Sequence, residues 1–321
     1  MKAMSRAHYG PPDVLRLQEI EKPAPAEDEV LIRVHAVSVN PLDSFVLRGW
    51  FSALPAISRL LEPKPKVIGS DIAGRVEALG SQTKQFRIGD DVMGCKNAGG
   101  LAEYVCIAEK NLGLKPANLS YEQAAAVPVA AITALQALRD HGEIQPGQSI
   151  LIDGASGGVG TFAIQIAKSY GATVTAVCST RHVETARSLG ADHVIDYNKE
   201  DFAQSGQKYD LILGANAHHS ILAYRRALKH HGIFVMVGGA MGRIFQALLL
   251  GPILSRLGSQ KFRFFIAKMT TSDLTILKDL LETGKIAPVI DRTYPFTEAV
   301  AAFQYREEGH ARGKVVITID T

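Results

Sequence analysis

Cysteine is scarce in this chain: Cys95, Cys106 and Cys178 are the only three in 321 residues, odd in number and unclustered. A disulfide framework is thereby excluded, as is a four-thiolate zinc site within one chain, and reduced thiols point to a cytoplasmic location. A long apolar run is also missing. The greasiest stretch, Ile244 to Leu257, is broken by Gly251 and Pro252 and is too short to span a bilayer. It reads as a lid or a partner-facing segment, with membrane attachment the lesser alternative, and no integral membrane segment is expected. Met1 leads straight into Lys2 without an apolar signal core, so no secretion signal is expected. Nor is there excess charge of one sign. The formal net charge of +3 is spread over the whole length, without a basic tract, and nucleic acid is not an expected partner. With 46% hydrophobic and 21% charged residues, the composition is that of a soluble enzyme, and the length suggests two domains.

What is present is a glycine-rich turn. From Leu151 to Lys168 an apolar strand runs through Gly154, Gly157, Gly158 and Gly160 into an amphipathic helix. Such a turn lets backbone approach a pyrophosphate, which then rests on the amides of Ala155, Ser156, Gly157, Gly158, Val159 and Gly160 and on the positive end of the helix dipole. The flanks are those the motif demands: a buried strand over Ser149 to Ile152, a helical face of Phe162, Ile164, Ile166 and Ala167 ending at Gly171, and a second strand over Thr173 to Cys178. A dinucleotide site follows.

Up to about Asn118 the sequence is strand-like and punctuated by proline and glycine, as in Val30 to Val39, Val67 to Leu79 and Asp91 to Met93. Ser120 and Gln123 have capping-box spacing ahead of an alanine-rich helix and mark a junction. Strands then alternate with helices: Ser149 to Asp153, Thr173 to Cys178, Val194 to Tyr197, Asp210 to Leu213 and Ile233 to Val237, with helices ending near Gly171, Gly190 and His231. That alternation is the pattern of a doubly wound parallel sheet. Helices are expected near Asp273 to Glu282 and Glu298 to Glu307, and a last strand, Val315 to Ile319, could return to the first domain.

The stretch from Gly147 to Lys168 resembles the quinone-oxidoreductase signature of the medium-chain dehydrogenase/reductase superfamily, in its zinc-independent branch. Ser38-Val39-Asn40-Pro41-Leu42-Asp43, Gly69 to Gly74, Ala126-Val127-Pro128, Leu189 to Asp192 and Gly309 to Lys314 extend the likeness over nearly the whole chain. The resemblance implies an α/β protein: a discontinuous GroES-like, mostly β catalytic domain (1–120 and 264–321) and a Rossmann NADP-binding domain (121–263). It also implies a nicotinamide cleft, and a homodimer would fit the family's habit of pairing Rossmann sheets edge to edge.

Many members of that superfamily hold a catalytic zinc. Here the corresponding positions look like Asn40, Ser70 and Asp71, which do not supply the soft or imidazole ligands zinc takes, so no metal is expected. Cys95 reads as a small residue of the β domain rather than a residual ligand. His218 and His219 follow the strand Asp210 to Leu213 and stand as either nicotinamide-side donors or solvated loop residues; His230 and His231 fall at a helix C-terminus without assigned chemistry.

The second strand of an NAD-specific unit ends in an acid that binds the ribose 2′-hydroxyl. None occurs in Val177-Cys178-Ser179-Thr180-Arg181-His182. Hydroxyls and a cation without a carboxylate favour NADPH. The resemblance puts Ser179 and Tyr197 beside the adenosine 2′-phosphate; Arg181 could join them or be an exposed first-turn residue.

Without a metal, orientation and hydrogen bonding must carry the chemistry, which suits hydride transfer to a quinone or to the β-carbon of an α,β-unsaturated carbonyl. The resemblance places Asn40 near the nicotinamide, the competing reading being a cap before Pro41. Asp43 resembles the family's partner residue in the same segment, the competing reading being a bond to backbone alone, and Thr133 is a nicotinamide contact or a helix-packing residue. Phe45, Trp50 and Phe51 are candidates to line the substrate cleft. Gly238 and Gly239, after the strand Ile233 to Val237, would let backbone approach the nicotinamide, and Phe264, Phe265 and Ala267 resemble a segment that covers it. The expectation is therefore a zinc-independent NADPH-dependent reductase acting on a quinone, enone or other carbonyl. NADP-dependent alcohol or carbonyl redox chemistry is the near alternative, and a non-catalytic NADPH-binding sensor or structural protein the distant one.

Overall fold

The structure is a computed structural model describing residues 1–49, 66–309 and 311–319. Trp50, Phe51 and His310 lie outside the described residues. Two compact units emerge: Met1–Val129 with Met269–Glu282 and Pro288–Thr321, and Ala130–Lys268 with Thr283–Ala287.

The first unit is built on β-branched strands. Glu29–Val39 carries Val30, Ile32 and Val34 fully buried, and it pairs antiparallel with Asp71–Leu79, Tyr104–Ala108 and Lys314–Thr318. The seven-stranded sheet is completed by Asp91–Cys95, Leu112–Leu114 and Ile290–Pro295, the last parallel to Lys314–Thr318. Ile72, Val92, Val105, Ile107, Val315 and Ile317 fill its core. Lys2–Arg6 and Leu15–Glu19 form a separate antiparallel pair. The returning strand thus sits beside the longest strand of the unit, which makes this unit discontinuous in sequence.

The second unit is a six-stranded, wholly parallel sheet in the spatial order His193–Asp196, Thr173–Cys178, Ser149–Asp153, Tyr209–Gly214, Leu228–Met236 and Lys261–Phe264. In sequence order this is 3-2-1-4-5-6, the dinucleotide-binding arrangement. Its switch point lies between Ser149–Asp153 and Tyr209–Gly214, where crossovers leave in opposite directions and a crevice opens beyond the strand ends.

The unit boundaries differ from the expected ones for identifiable reasons. Tyr121, on the helix Tyr121–Ala125, stacks on His35 at 4.2 Å and its hydroxyl donates to Asp91 at 2.5 Å, holding that helix in the first unit. Gln165 brackets Ala287, accepting from its amide at 2.8 Å and donating to its carbonyl at 2.9 Å, which holds 283–287 in the second. The strand Lys261–Phe264 extends the parallel sheet to the edge of the expected domain end. His230 and His231 are corrected as well: the helix ends at Ala227, and both lie in the strand Leu228–Met236, His231 at a φ of 65° where the register shifts.

Candidate active site

At the glycine turn, Ser149–Asp153 delivers the chain into 154–157, and the helix Gly158–Ser169 starts behind it. Gly157 is the N-cap and no side chain caps the helix; the first intrahelical bond runs from the Thr161 amide to the Gly157 carbonyl at 2.9 Å. The amides of Gly158, Val159 and Gly160 therefore have no acceptor within the helix. Ala155 is different: it is buried, and its amide donates to the Val177 carbonyl at 3.0 Å, tying the turn to the second strand. Ser156 lies half-buried in the turn.

The two decisive glycines do different jobs. A Cβ on Gly160 would stand 2.2 Å from the Gly154 carbonyl, so this residue is fixed by the closeness of turn and helix. On Gly157 a Cβ would meet only that same carbonyl, at 3.7 Å, and otherwise enter open space. An open cradle faced by unspent amides suits the pyrophosphate of a dinucleotide.

At the second strand's end, Ser179 is buried and Arg181 exposed. The Tyr197 amide donates to the Cys178 carbonyl at 3.0 Å, which brings Tyr197, 59% exposed, next to Ser179 across the parallel ladder. Sequence order hid a carboxylate here. Asp196 ends the neighbouring strand, and it accepts from Thr180 Oγ1 at 2.7 Å and from the Asn198 amide at 3.1 Å. Those bonds, the Thr180 hydroxyl foremost, hold its proton affinity below the usual carboxylate range.

Gly238 and Gly239 are needed by the protein itself. A Cβ on Gly238 would meet the Ala215 carbonyl at 2.6 Å, and on Gly239, at a φ of +144°, the Ala217 carbonyl at 2.4 Å. The Ala217 amide donates to the Gly238 carbonyl at 3.0 Å, so two strand-end loops lock together here. Phe265 stacks on His141 at 4.0 Å. His219 is half-buried, pairs with Asp201 at 3.1 Å and packs on Phe202 at 4.6 Å, while His218 is exposed. Sequence reasoning passed over Asp153, the buried residue directly before the turn, whose carboxyl accepts from the Tyr224 hydroxyl at 2.5 Å. Burial raises its proton affinity against that bond.

The first unit gathers the other candidates. Asn40 is the N-cap of the helix Pro41–Arg48: the Asp43 amide donates to the Asn40 main-chain carbonyl at 3.1 Å, and the Asp43 carboxylate accepts from the Asn40 amide at 2.7 Å. The Asn40 side-chain nitrogen donates to Asp71 at 2.9 Å and to Ser70 Oγ at 3.3 Å, and its oxygen accepts from the Lys314 ammonium at 2.6 Å. Ser70 passes its hydroxyl hydrogen to Asp43 at 2.9 Å. Asp71 also accepts from Ser38 at 3.2 Å, from the Val129 amide at 3.0 Å and from Lys314 at 3.4 Å. Asn40, Asp43, Ser70, Asp71 and Lys314 are all buried. Both amide hydrogens of Asn40 are spent within the cluster. The cap and the candidate site prove to be one arrangement. Lys314 was missed as a participant, although a lysine opening an otherwise apolar strand was the available signal.

Burial dominates the electrostatics of this cluster. It pushes Asp43 up to about 6 and raises Asp71 as well, while it lowers Lys314. Cys95 pairs with Asp71 across the ladder, and burial, with that carboxyl nearby, holds its thiol protonated far above the usual range. Thr133 lies half-buried in the other unit, on the helix Pro128–Gln136.

Residues 26–117 match the alcohol dehydrogenase GroES-like domain, and residues 189–317 match the zinc-binding dehydrogenase family. The chain is 40% identical to the 2-methylene-furan-3-one reductase of Solanum lycopersicum, over 99% of this chain and 79% of that protein. It is 38% identical to the chloroplastic NADPH-dependent alkenal/one oxidoreductase of Arabidopsis thaliana over the same shares. The quinone oxidoreductase structure from Coxiella burnetii superposes with a TM-score of 0.88 at 32% identity, covering 100% of this chain and 99% of that one. The chain belongs to the medium-chain dehydrogenase/reductase superfamily, in its quinone oxidoreductase-like branch.

A zinc ion, which the family description carries, does not fit the residues present. Among the described residues no group of three His, Cys, Asp or Glu could hold a metal ion. At the corresponding positions stand an amide, a hydroxyl and a carboxylate already bridged by the Lys314 ammonium, and the neighbouring Cys95 is a protonated thiol. Zinc enters no step below.

Proposed function

We propose that this protein is an NADPH-dependent oxidoreductase that transfers hydride to a quinone or an α,β-unsaturated carbonyl. The observation that carries the reading is the open cradle at Gly157, faced by the amides of Gly158, Val159 and Gly160 at the end of a 3-2-1-4-5-6 sheet. Bound NADPH supplies the hydride. The amides and the helix dipole hold the pyrophosphate, while Ser179, Tyr197 and Arg181 recognise the 2′-phosphate. The carboxylate of Asp196 is occupied by Thr180 and Asn198, and so is drawn away from that phosphate.

Thr133 remains the candidate for contact with the nicotinamide. Asn40 and Asp43, saturated and buried, act by keeping the segment after Val39 in one conformation rather than by delivering a proton. Gly238 and Gly239 act by locking the nicotinamide-side loop, and Phe265 by packing on His141. Relatives named for alkenal, furanone and quinone reduction favour soft, conjugated acceptors over the alcohol dehydrogenase alternative. We also carry a homodimer, tested by sedimentation equilibrium. Three reduced thiols suit a cytoplasm-like compartment.

Stopped-flow oxidation of protein-bound NADPH against quinones, enones and aldehydes tests the reading. Fast oxidation by quinones or enones is expected. Oxidation by aldehydes alone would replace the acceptor class, and tight NADPH binding with no oxidation by any acceptor would leave a sensor.

A further inference from the structure

The whole-chain charge of +3 conceals an uneven distribution. Between Asp210 and Asp273 the sequence contains no aspartate or glutamate, yet it holds eight lysines and arginines. The same segment carries the helix Met241–Leu257, which is apolar on both of its sides. One side packs inward through Ile244, Ala247, Gly251 and Leu254, with Gly251 against Phe262 of the edge strand. The other side is a ridge with a spacing of four, Met241, Phe245, Leu249, Ile253 and Leu257, exposed by 43 to 80%. A helix apolar all round calls for an apolar medium on both sides, and water meets one of them here.

Cations gather at one end of that ridge. At the helix's C-terminal end an open groove of about 1020 Å³ is lined by Leu222, Arg225, Arg226, Lys208 and Gly258 among others. Glu143 and Asp210 engage Lys261, Arg263 and Lys229, but Arg225, Arg226 and Arg256 have no carboxylate partner among the described ion pairs. No helix of the described residues is long and apolar enough to cross a membrane. A 17-residue helix can instead lie in the interface with its ridge among the acyl chains and arginines at the headgroups.

We propose that Met241–Leu257, with the cationic groove beside it, is a docking face for an anionic lipid surface. Charge decides the occupant. A second copy placed on this face would oppose two acid-free cationic surfaces, and a nucleic acid would leave the apolar ridge in water. Anionic headgroups above acyl chains satisfy both features. That docking would set the enzyme beside lipid-soluble acceptors rests on the reductase reading above; the lipid affinity itself does not.

Cosedimentation of the full chain with vesicles tests this, using phosphatidylcholine alone and phosphatidylcholine mixed with phosphatidylglycerol. Binding is expected only to the mixed vesicles and should weaken with salt. Leu249→Glu should abolish it, and Arg225→Gln should weaken it about five-fold, with unchanged melting temperatures because both side chains are exposed. No binding to either vesicle overturns the proposal. So does self-association that Leu249→Glu abolishes, or binding to duplex DNA in preference to the mixed vesicles. Vesicle binding without NADPH oxidation would sink the reductase reading alone; oxidation of a water-soluble quinone without vesicle binding would sink the docking face alone.

Discussion

The polar cluster around Asn40 and the glycine turn before Val159 hold most of the candidate residues, and they treat hydrogen bonds in opposite ways. In the cluster nearly every donor and acceptor is spent on another member, and five polar side chains are buried together. At the turn three backbone amides have no helical acceptor and the space before them is open. A saturated buried network specifies one conformation, while unspent donors at a surface specify a ligand. The first region is read as support and the second as binding site on this difference.

Removing the cluster's ammonium should break the comparison most violently. Lys314→Met leaves Asp71 and Asn40 without their cation and should cost about 3–5 kcal/mol in urea unfolding. A loss under about 1 kcal/mol would show that the cluster is not a coupled unit.

Next in size is a pH effect. Asp43 is pushed up to about 6 in the folded chain from 3.8, so the native state binds the extra proton. Its contribution to stability is full below about pH 4, is lost as pH rises through about 6, and is on the order of 3 kcal/mol. Asp43→Asn should flatten the stability profile in that window, and an unchanged profile would remove the assignment.

Two smaller tests sharpen the other side. Ser179→Asp should raise the KM for NADPH about 30-fold, roughly 2 kcal/mol, and leave that for NADH nearly unchanged; equal changes would remove Ser179 from the phosphate site. Gly157→Ala fills the cradle without crowding, since its Cβ meets only the Gly154 carbonyl at ordinary contact distance. It should weaken NADPH binding about ten-fold in a fluorescence titration and change unfolding by under about 1 kcal/mol.

Local signals were legible. Ser149–Asp153 and Thr173–Cys178 have the bounds their apolar runs suggested, and the Ser120–Gln123 capping box is present in full. Non-local ones were not. Lys314 and Asn40 are 274 positions apart, and nothing near either residue announces the other. Lys261–Phe264 is four residues behind a greasy helix, too short to show a period. The start of Leu228–Met236 reads Leu-Lys-His-His-Gly, which carries no alternation at all, so its strand was placed at Ile233. Averaged charge hid the acid-free segment because acids elsewhere balance it.

The place of Lys314–Thr318 next to Glu29–Val39 also sets an order of assembly. On the ribosome, residues 130–268, which hold all six strands of the parallel sheet, emerge before Lys314 does. Asp43 and Asp71 are synthesised early and have to wait for their counter-ion, so until then water must keep both carboxylates charged. The nucleotide-binding unit can therefore close on its ligand during translation, while the unit that begins the chain is the last to be sealed.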